Sequence, residues 1–374
     1  MYVGARSGSQ SLPNKRYESL LHDEVRTPRT SELLLISANV QSLRIVLAAR
    51  PNGAPQLTDF RIEEACVPEP SLGELLVAIR WLSLDPYMRG RMDDRKSYSA
   101  SVPLGGVMEG EAIAEVIRSN NDQFRVGDRV LGRFGWQRYA VSNGTGLIRL
   151  DDRFNPVTTA LGVLGMPGLV AYTGLLKIGR PTPGETVVVA AASGPVGSLV
   201  GQIARIKGAR AVGIAGGPAK CTFVKEELGF DAVADHRAPD FPDQLVAACP
   251  EGIDVYFENV GGAVWQAVFP LLNDRARVPV CGLVAQYNGV DAAGPDRLPA
   301  TMREIVTRSL TIQGFIWSQY SDQRPTFLDD VSCWIREDRI RYREEVVVGL
   351  ENSPEAFIGM LEGRNFGKLL IQVA

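Results

Sequence analysis

Histidine is almost absent from this chain of 374 residues, which contains only His22 and His236. A catalytic zinc ion needs histidine, cysteine or carboxylate ligands gathered around it, with one position left open. The five cysteines are far apart and form no CxxC pair, which argues against both a zinc lobe and a disulfide framework. Unpaired cysteines are typical of a reducing compartment, so we expect a cytoplasmic protein that holds no metal.

An excess of charge of either sign is also missing. The chain has 40 basic and 43 acidic residues and a net charge of −3, which indicates no basic surface for nucleic acid or for an anionic membrane. The uncharged run over residues 155–176 is interrupted by prolines and glycines, and it predicts short buried helices rather than a membrane span. Neither a GxSxG elbow nor a Walker-type lysine loop occurs, so hydrolase and kinase functions have no support.

The best-defined pattern that is present is a strand, a small-residue turn and a helix within residues 186–206. An apolar β-branched run leads into the turn AxGxxG, formed by Ala192, Gly194 and Gly197, and apolar residues then recur at helical spacing before a second strand. In a dinucleotide site Gly194 lets the backbone approach a pyrophosphate, and Gly197 lets the helix pack on the strand. The N–H groups at the start of the helix would face the anion.

The end of the second strand indicates which dinucleotide binds. An NAD site usually has Asp or Glu about 20 residues after the glycine turn, where it binds the ribose 2′-hydroxyl. Here the strand is followed by Gly216 and then by Lys220, with no acid between them. A cation favours a 2′-phosphate, so we predict NADPH with Lys220 as its phosphate partner. A solvated surface lysine is the alternative.

The order of the predicted elements indicates two domains and an extension. Residues 1–41 lack periodicity and are expected to be a flexible N-terminal extension. Short strands over residues 42–164 predict a β-rich first domain. Strands alternate with helices over residues 165–343, as in a doubly wound parallel sheet, and residues 344–374 end in a strand expected to return to the first domain. Strands are predicted near 186–191, 210–215, 253–258, 276–281 and 310–316, and helices near 195–207, 218–228, 262–272, 298–308 and 325–338.

Several stretches in order resemble a known family. They include LSLDPYMRGRM, AASGPVGSLVGQIA, GIDVYFENVGG, CGLVAQYN and PEAFIGMLEGRNFGKLL. Together they resemble the zinc-independent medium-chain dehydrogenases/reductases of the prostaglandin reductase, leukotriene B4 12-hydroxydehydrogenase and curcumin reductase group. The resemblance covers about residues 42–374 and implies a GroES-like catalytic domain, a Rossmann domain, an NADPH cofactor and a homodimer. It also implies reduction of the carbon–carbon double bond of α,β-unsaturated ketones or aldehydes.

The resemblance also implies roles for individual residues. Tyr87 and Tyr287 would face the substrate, while the positions implied for the cofactor are Gly194, Pro195 and Val196 at the pyrophosphate, Lys220 at the 2′-phosphate, Asn259, Cys281, Gly282, Phe315 and Trp317 at the nicotinamide, and Asn365 closing over it. One position departs from the family pattern. Where relatives commonly read DYK, this chain has Asp235, His236 and Arg237, so an imidazole or a guanidinium would replace the tyrosine hydroxyl near the 2′-phosphate.

The missing zinc ligands favour conjugate reduction, because a carbonyl substrate without a metal loses its Lewis acid. Where zinc relatives carry a GHE run, residues 107–110 read VMEG. Hydride addition to the β-carbon would leave negative charge on the carbonyl oxygen, which needs a hydrogen-bond donor. Tyr287 is our first candidate and Tyr87 the second, and a tyrosine that only packs is the alternative for each.

Other reactive side chains receive a structural interpretation. Cys281 lies at the end of an apolar strand with no histidine near it in sequence, which favours an inert thiol over a nucleophile. Asp85 and Arg89 are expected to fix the loop around Pro86. Two other functions stay open at this point, a quinone reductase on the same scaffold and an NADPH-binding protein without turnover.

Overall fold

The computed structural model describes residues 41–67, 69–289 and 297–373. The extension predicted over residues 1–41 lies outside these ranges except for Gln41. The described residues form a two-stranded, a six-stranded and a seven-stranded sheet. A parallel doubly wound sheet and an antiparallel β-rich part are both present, which confirms the predicted fold class. The exact domain limits stay predictions.

The first part of the chain is antiparallel. Its central strand, β3, is rich in leucine, valine and isoleucine and is largely buried, because it pairs with strands on both sides. A cluster of aromatic rings closes the core here, with Trp136 stacked on Phe60 at 5.7 Å between centroids. The strands are β1 (Gln41–Leu47), β2 (Phe60–Cys66), β3 (Leu75–Ser83), β4 (Ala112–Ser119), β5 (Arg129–Gly132), β6 (Tyr139–Ser142) and β7 (Ile148–Arg149).

The second part is a six-stranded parallel sheet covered on both faces. Val187 and Val189 of β8 pack into one apolar layer, whereas Val188 and Ala190 pack into another, and all four are fully buried. Such burial on both faces is what helices on each side of a parallel sheet require. In spatial order β10-β9-β8-β11-β12-β13, the strands are β8 (Thr186–Ala190), β9 (Arg210–Ala215), β10 (Ala232–Asp235), β11 (Ile253–Phe257), β12 (Leu272–Val280) and β13 (Thr311–Gly314).

Most helices begin with a proline in their first turn, where its missing N–H costs no hydrogen bond. The helices are α1 (Met88–Arg91), α2 (Met166–Thr173), α3 (Pro195–Ile206), α4 (Pro218–Thr222), α5 (Phe241–Ala248), α6 (Gly262–Val268), α7 (Leu298–Thr307), α8 (Arg324–Arg336) and α9 (Ser353–Leu361). π-helical turns continue α2 over Gly174–Gly179 and α4 over Phe223–Glu227. Short 3₁₀ turns occupy Leu57–Asp59, Val157–Leu161, Phe269–Leu271, Val284–Gln286, Trp317–Gln323 and Leu350–Asn352.

The strand β10 and the helix α5, both in the parallel part of the chain, were not predicted. β10 has only four residues, too few for a strand period to be recognised. β12 also begins at Leu272, four residues before the predicted strand, and Leu272 pairs with Ile253 of β11 ahead of an irregularity in the register. A short strand at the edge of a sheet, such as β10, is determined by its neighbours rather than by the local sequence pattern.

The last strands described, β14 (Glu344–Val348) and β15 (Lys368–Gln372), join the antiparallel part. β15 pairs antiparallel with β3, with Ile371 opposite Leu82, and parallel with β14. The seven-stranded sheet therefore has the order β14-β15-β3-β4-β5-β7, with β6 paired to β3. This pairing brings Lys368 beside the loop that follows β3, next to the parallel sheet.

Candidate active site

A cavity of about 500 Å³ opens where the carboxyl ends of the parallel strands meet the loops of the antiparallel part. Ligands of open α/β sheets bind at this edge. The structure brings every residue that the sequence assigned to cofactor or substrate into the wall of this cavity: Tyr87, Gly194, Pro195, Val196, Gly197, Gly216, Lys220, His236, Asn259, Cys281, Gly282, Tyr287, Phe315, Trp317 and Asn365. What each residue does to a ligand stays a prediction.

The glycine turn lies between β8 and α3. Ala191 turns the chain with a φ of 54°, and Gly194 is the N-cap of α3 but offers no side chain to its first N–H groups. A β-carbon on Gly197 would lie 2.4 Å from the carbonyl oxygen of Ala191, so only glycine lets the helix start this close to the strand. The uncapped start of α3 in the cavity wall has the form of an anion-binding site.

Basic side chains gather at the end of β9. A β-carbon on Gly216 would lie 2.6 Å from Nε2 of His236 and 3.0 Å from Nε of Arg237, so both side chains fold over this glycine. Lys220 reaches the same place and donates from Nζ to the carbonyl oxygen of Gly363 at 2.7 Å. Desolvation and the charge of Arg237 lower the pKa of Lys220 and of His236. This mutual repulsion would be relieved by a bound dianion.

Asp235, which precedes these basic groups, holds the turn rather than facing the cavity. Its Oδ1 accepts hydrogen bonds from the backbone N–H of Gly217 and of Arg237, each at 2.9 Å. These two bonds lower the pKa of the carboxyl although desolvation opposes them. The carboxylate of Asp235 therefore stabilises the backbone of the loop that carries His236 and Arg237.

The turn after β11 supports the other end of the cavity. The carboxylate of Glu258 accepts hydrogen bonds from the backbone N–H of Val260 at 2.6 Å and of Gly261 at 2.9 Å. Asn259 donates from Nδ2 to the carbonyl oxygen of Ala190 at 2.9 Å, which ties this turn to the end of β8. Burial raises the pKa of Cys281 to about 12, and a protonated thiol is a poor nucleophile, as the interpretation of an inert cysteine requires.

Two tyrosines, Tyr87 and Tyr287, line the cavity. Tyr287 follows the 3₁₀ turn Val284–Gln286, and its hydroxyl lies 3.0 Å from where a β-carbon on Gly282 would be. Burial raises the pKa of Tyr287 to about 12, and burial and nearby carboxylates raise that of Tyr87 well above its ordinary value. Both hydroxyls are therefore protonated at neutral pH and available as hydrogen-bond donors.

Comparison with known proteins places this arrangement in a family. Residues 43–150 match the family model described as "N-terminal domain of oxidoreductase", and residues 195–332 match the one described as "Zinc-binding dehydrogenase". The NADPH-dependent curcumin reductase of Escherichia coli (strain K12) is 53% identical over 333 residues, which cover 88% of this chain and 96% of that protein. This chain belongs to the prostaglandin reductase and curcumin reductase group of medium-chain dehydrogenases/reductases.

Two further relatives agree with the family. Prostaglandin reductase 1 of Rattus norvegicus is 37% identical over 338 residues, covering 89% of this chain and 99% of that protein. The crystal structure of CurA from Vibrio vulnificus in complex with NADPH superposes on this medium-chain reductase with a TM-score of 0.87. The two are 50% identical, and the match covers 89% of this chain and 99% of CurA.

A buried ion pair fixes the loop after β3 in this medium-chain reductase. Nζ of Lys368 donates to Oδ1 of Asp85 and to the carbonyl oxygen of Leu84, both at 2.8 Å, and Ser83 donates its hydroxyl to the other carboxylate oxygen. Arg89 binds Asp93 through Nη1 at 2.5 Å. The prediction that Asp85 and Arg89 hold the loop agrees with these contacts.

Sequence reasoning missed several residues of the cavity wall. Glu111, Arg133 and Tyr98 line it, but none was assigned to the site. Tyr98 lies under the guanidinium of Arg91, 4.3 Å from ring centroid to Cζ. The signal that could have found Glu111 was a glutamate directly before an apolar strand, two residues after Glu109.

The medium-chain reductase shows no place for a metal among the residues described. No group of three or more histidine, cysteine, aspartate or glutamate side chains comes together in those ranges, and His22 lies outside them. The cysteines at 66, 221, 249, 281 and 333 are all free thiols. Over the same residues, no helix is long and apolar enough to cross a membrane.

Proposed function

We propose that this medium-chain reductase uses NADPH to reduce the carbon–carbon double bond of α,β-unsaturated ketones and aldehydes. The observation that carries this proposal is one cavity that joins an uncapped helix start, a group of basic side chains and two protonated tyrosines. The curcumin reductase and prostaglandin reductase relatives support a reductase, and the CurA complex supports NADPH.

NADPH fits the residues present. A β-carbon on Gly197 would meet the carbonyl oxygen of Ala191, so glycine at this position keeps the start of α3 close to the end of β8, where a dinucleotide site holds its pyrophosphate. The pyrophosphate would be held at Gly194, Pro195 and Val196, the 2′-phosphate by Lys220, His236 and Arg237, and the nicotinamide among Asn259, Cys281, Phe315 and Trp317, with Asn365 beside it. When bound, NADPH supplies a hydride.

The tyrosines would stabilise the charge that the acceptor gains. When the β-carbon takes up hydride, negative charge develops on the carbonyl oxygen, and a preorganised donor lowers the barrier. Tyr287 is our first candidate for this donor and Tyr87 the second. Tyr287→Phe removes one hydroxyl and is expected to lower kcat by about 10- to 1,000-fold with little change in the Kd for NADPH. Tyr139→Phe, outside the cavity wall, is the control, and an unaltered kcat would remove Tyr287 from the mechanism.

We propose that no metal takes part. The support is the donor set, because the carboxylate of Asp85 in the cavity wall binds the ammonium group of Lys368 and no group of three or more metal-binding side chains comes together among the described residues. Metal analysis of the purified protein tests this point. A stoichiometric transition metal whose removal abolishes turnover would contradict it.

A pair of assays tests the function and its rivals. The rate of NADPH oxidation is measured with an enone and with a quinone, since a quinone reductase would prefer the second. Tight NADPH binding without oxidation across a broad panel of enones would instead support a binding protein without turnover. We expect the enone to be reduced with the higher kcat/KM.

A charge reversal tests the cofactor preference. Lys220→Glu places a carboxylate where we expect the 2′-phosphate, so the KM for NADPH should rise at least 10-fold more than the KM for NADH. Lys225→Glu is the matched control, since Lys225 bonds the carbonyl oxygen of Asp231 and lies outside the cavity wall. Equal effects of Lys220→Glu on both nucleotides would show that the assignment is wrong.

We propose a homodimer in the cytoplasm. On α7 the side chains of Met302 and Val306, one helical turn apart, are 52% and 74% exposed, and β13 is an edge strand of the parallel sheet. Exposed apolar side chains and an edge strand both favour association of two copies. Sedimentation should give twice the chain mass, and Val306→Glu should shift it to the monomer. The free thiols support a reducing compartment.

A further inference from the structure

Glu111 brings a carboxyl group into the cavity wall at the end of the antiparallel part. Its backbone oxygen accepts a hydrogen bond from the N–H of Ser83 at 2.9 Å, so it lies beside the point where β3 ends. The chain continues from there to Asp85 and Tyr87, which also line the cavity. Glu111 is therefore next to the tyrosine expected to face the substrate.

The three acids of the cavity wall differ in their partners. Asp85 is paired with Lys368, and Glu362 is paired with Arg364 at 2.8 Å. The side chain of Glu111 makes no hydrogen bond and no ion pair with the described residues. A partly buried carboxyl with no partner is costly to keep ionised, and such groups concentrate at functional sites.

We propose that Glu111 is a further catalytic residue, which gives a proton to the α-carbon of the acceptor. The proposal rests on the proposed function. Reduction breaks the C=C π bond and adds one hydride and one proton. The β-carbon gains a C–H bond with the electron pair of the hydride from NADPH. The O–H bond of Glu111 then breaks, the α-carbon gains its C–H bond, and the carboxylate recovers a proton from water.

The surroundings of Glu111 suit this role. Burial, with help from the charge of Asp85, raises the pKa of Glu111 to about 7, so a large fraction is protonated near neutrality. Burial raises the pKa of Tyr287 to about 12, so Glu111 is the more acidic of the two groups and the readier source of a proton. The charged and titratable groups that face Glu111 are Asp85 and Tyr87 after β3, Arg133 after β5, Arg324 at the start of α8, and Lys368 on β15.

The first test is the rate of a glutamine variant. Glu111→Gln keeps the size of the side chain but cannot release a proton, so kcat should fall about 10²- to 10⁴-fold, as expected for a lost general acid. The Kd for NADPH should not change. Glu111→Asp keeps an acid and should recover part of the rate. Glu115→Gln is the matched control, because Glu115 lies on β4, the strand that follows Glu111, but pairs with Arg80 outside the cavity wall.

The second test follows the proton itself. In the wild-type protein kcat should decrease above about pH 7, and in Glu111→Gln this decrease should disappear. In heavy water the wild-type product should carry deuterium on a single face of the α-carbon, whereas the variant product should carry it on both. Glu111→Gln that keeps kcat within twofold of Glu115→Gln, or that labels one face only, overturns the proposal. Failure of the proposed function looks different, because then the wild-type protein oxidises no NADPH with any enone.

Discussion

Glu111→Gln should also change how the stability of the protein depends on pH. Burial and Asp85 raise the pKa of Glu111 from 4.5 to about 7 in the folded protein. Below about pH 4.5 the carboxyl is protonated in the folded and the unfolded chain, so it contributes nothing. Between about pH 4.5 and 7 only the unfolded chain has released the proton, and the free energy of unfolding therefore falls as the pH rises.

Above about pH 7 the folded protein has also released this proton, and the decrease in the free energy of unfolding that Glu111 causes has reached its full size. The separation of the two pKa values, 4.5 and about 7, corresponds to about 3 kcal/mol. Glutamine has no charge to lose, so Glu111→Gln should gain this amount relative to the wild type at about pH 8.5. At about pH 5 ionisation of Glu111 has destabilised the wild type only slightly, so the increase in the free energy of unfolding caused by Glu111→Gln should be smaller by about 2 to 3 kcal/mol.

The assay is urea unfolding without nucleotide, followed by tryptophan fluorescence at both pH values. Wild type, Glu111→Gln and the control Glu115→Gln are compared, and the double difference cancels errors of extrapolation that the variants share. The control should show no such gain at the higher pH. A gain for Glu111→Gln that is the same at both pH values would refute the reasoning, because it would have to come from packing rather than from ionisation.

Three further outcomes follow from the contacts described. Gly197→Ala should weaken NADPH binding at least 10-fold in a fluorescence titration, since its β-carbon would meet a carbonyl oxygen at 2.4 Å; Gly90→Ala, with nothing within 4 Å, should not. Lys368→Met leaves the carboxylate of Asp85 buried without its cation and should lower the free energy of unfolding in urea by about 3–5 kcal/mol. The decrease should be smaller when Asp85→Asn is combined with it. His236→Gln should remove the strengthening of NADPH binding expected between about pH 8 and 6, because a phosphate dianion raises the lowered pKa of His236; NADH should show no such pH dependence.

The sequence was sufficient where local chemistry decides the structure. The turn around Gly194 and Gly197 could be predicted because strand, small residues and helix follow one another directly along the chain. The position of Lys220 could be predicted because it lies at a known distance from that turn, whereas His236 and Arg237 were implied by the family resemblance. Both are properties of one βαβ unit and its continuation.

The rest depends on contacts between distant residues. Nothing in the sequence shows that Lys368 meets Asp85, 283 residues earlier, or that the nearby carboxyl of Glu111 has no hydrogen-bond or ion-pair partner among the described residues. Such juxtapositions come from strand pairing in the seven-stranded sheet, which has no local signature. The short strand β10 was missed for a related reason, since four residues carry too little pattern.

The pairing of β15 with β3 means that the loop bearing Asp85 and Tyr87 is finished late. A ribosome makes this loop early, yet its buried carboxylate waits for the ammonium group of Lys368, which is synthesised only after the entire parallel sheet. Until then the ion pair between Lys368 and Asp85 cannot form. The loop that carries Asp85 and Tyr87 can therefore gain this contact only after β15 has been synthesised.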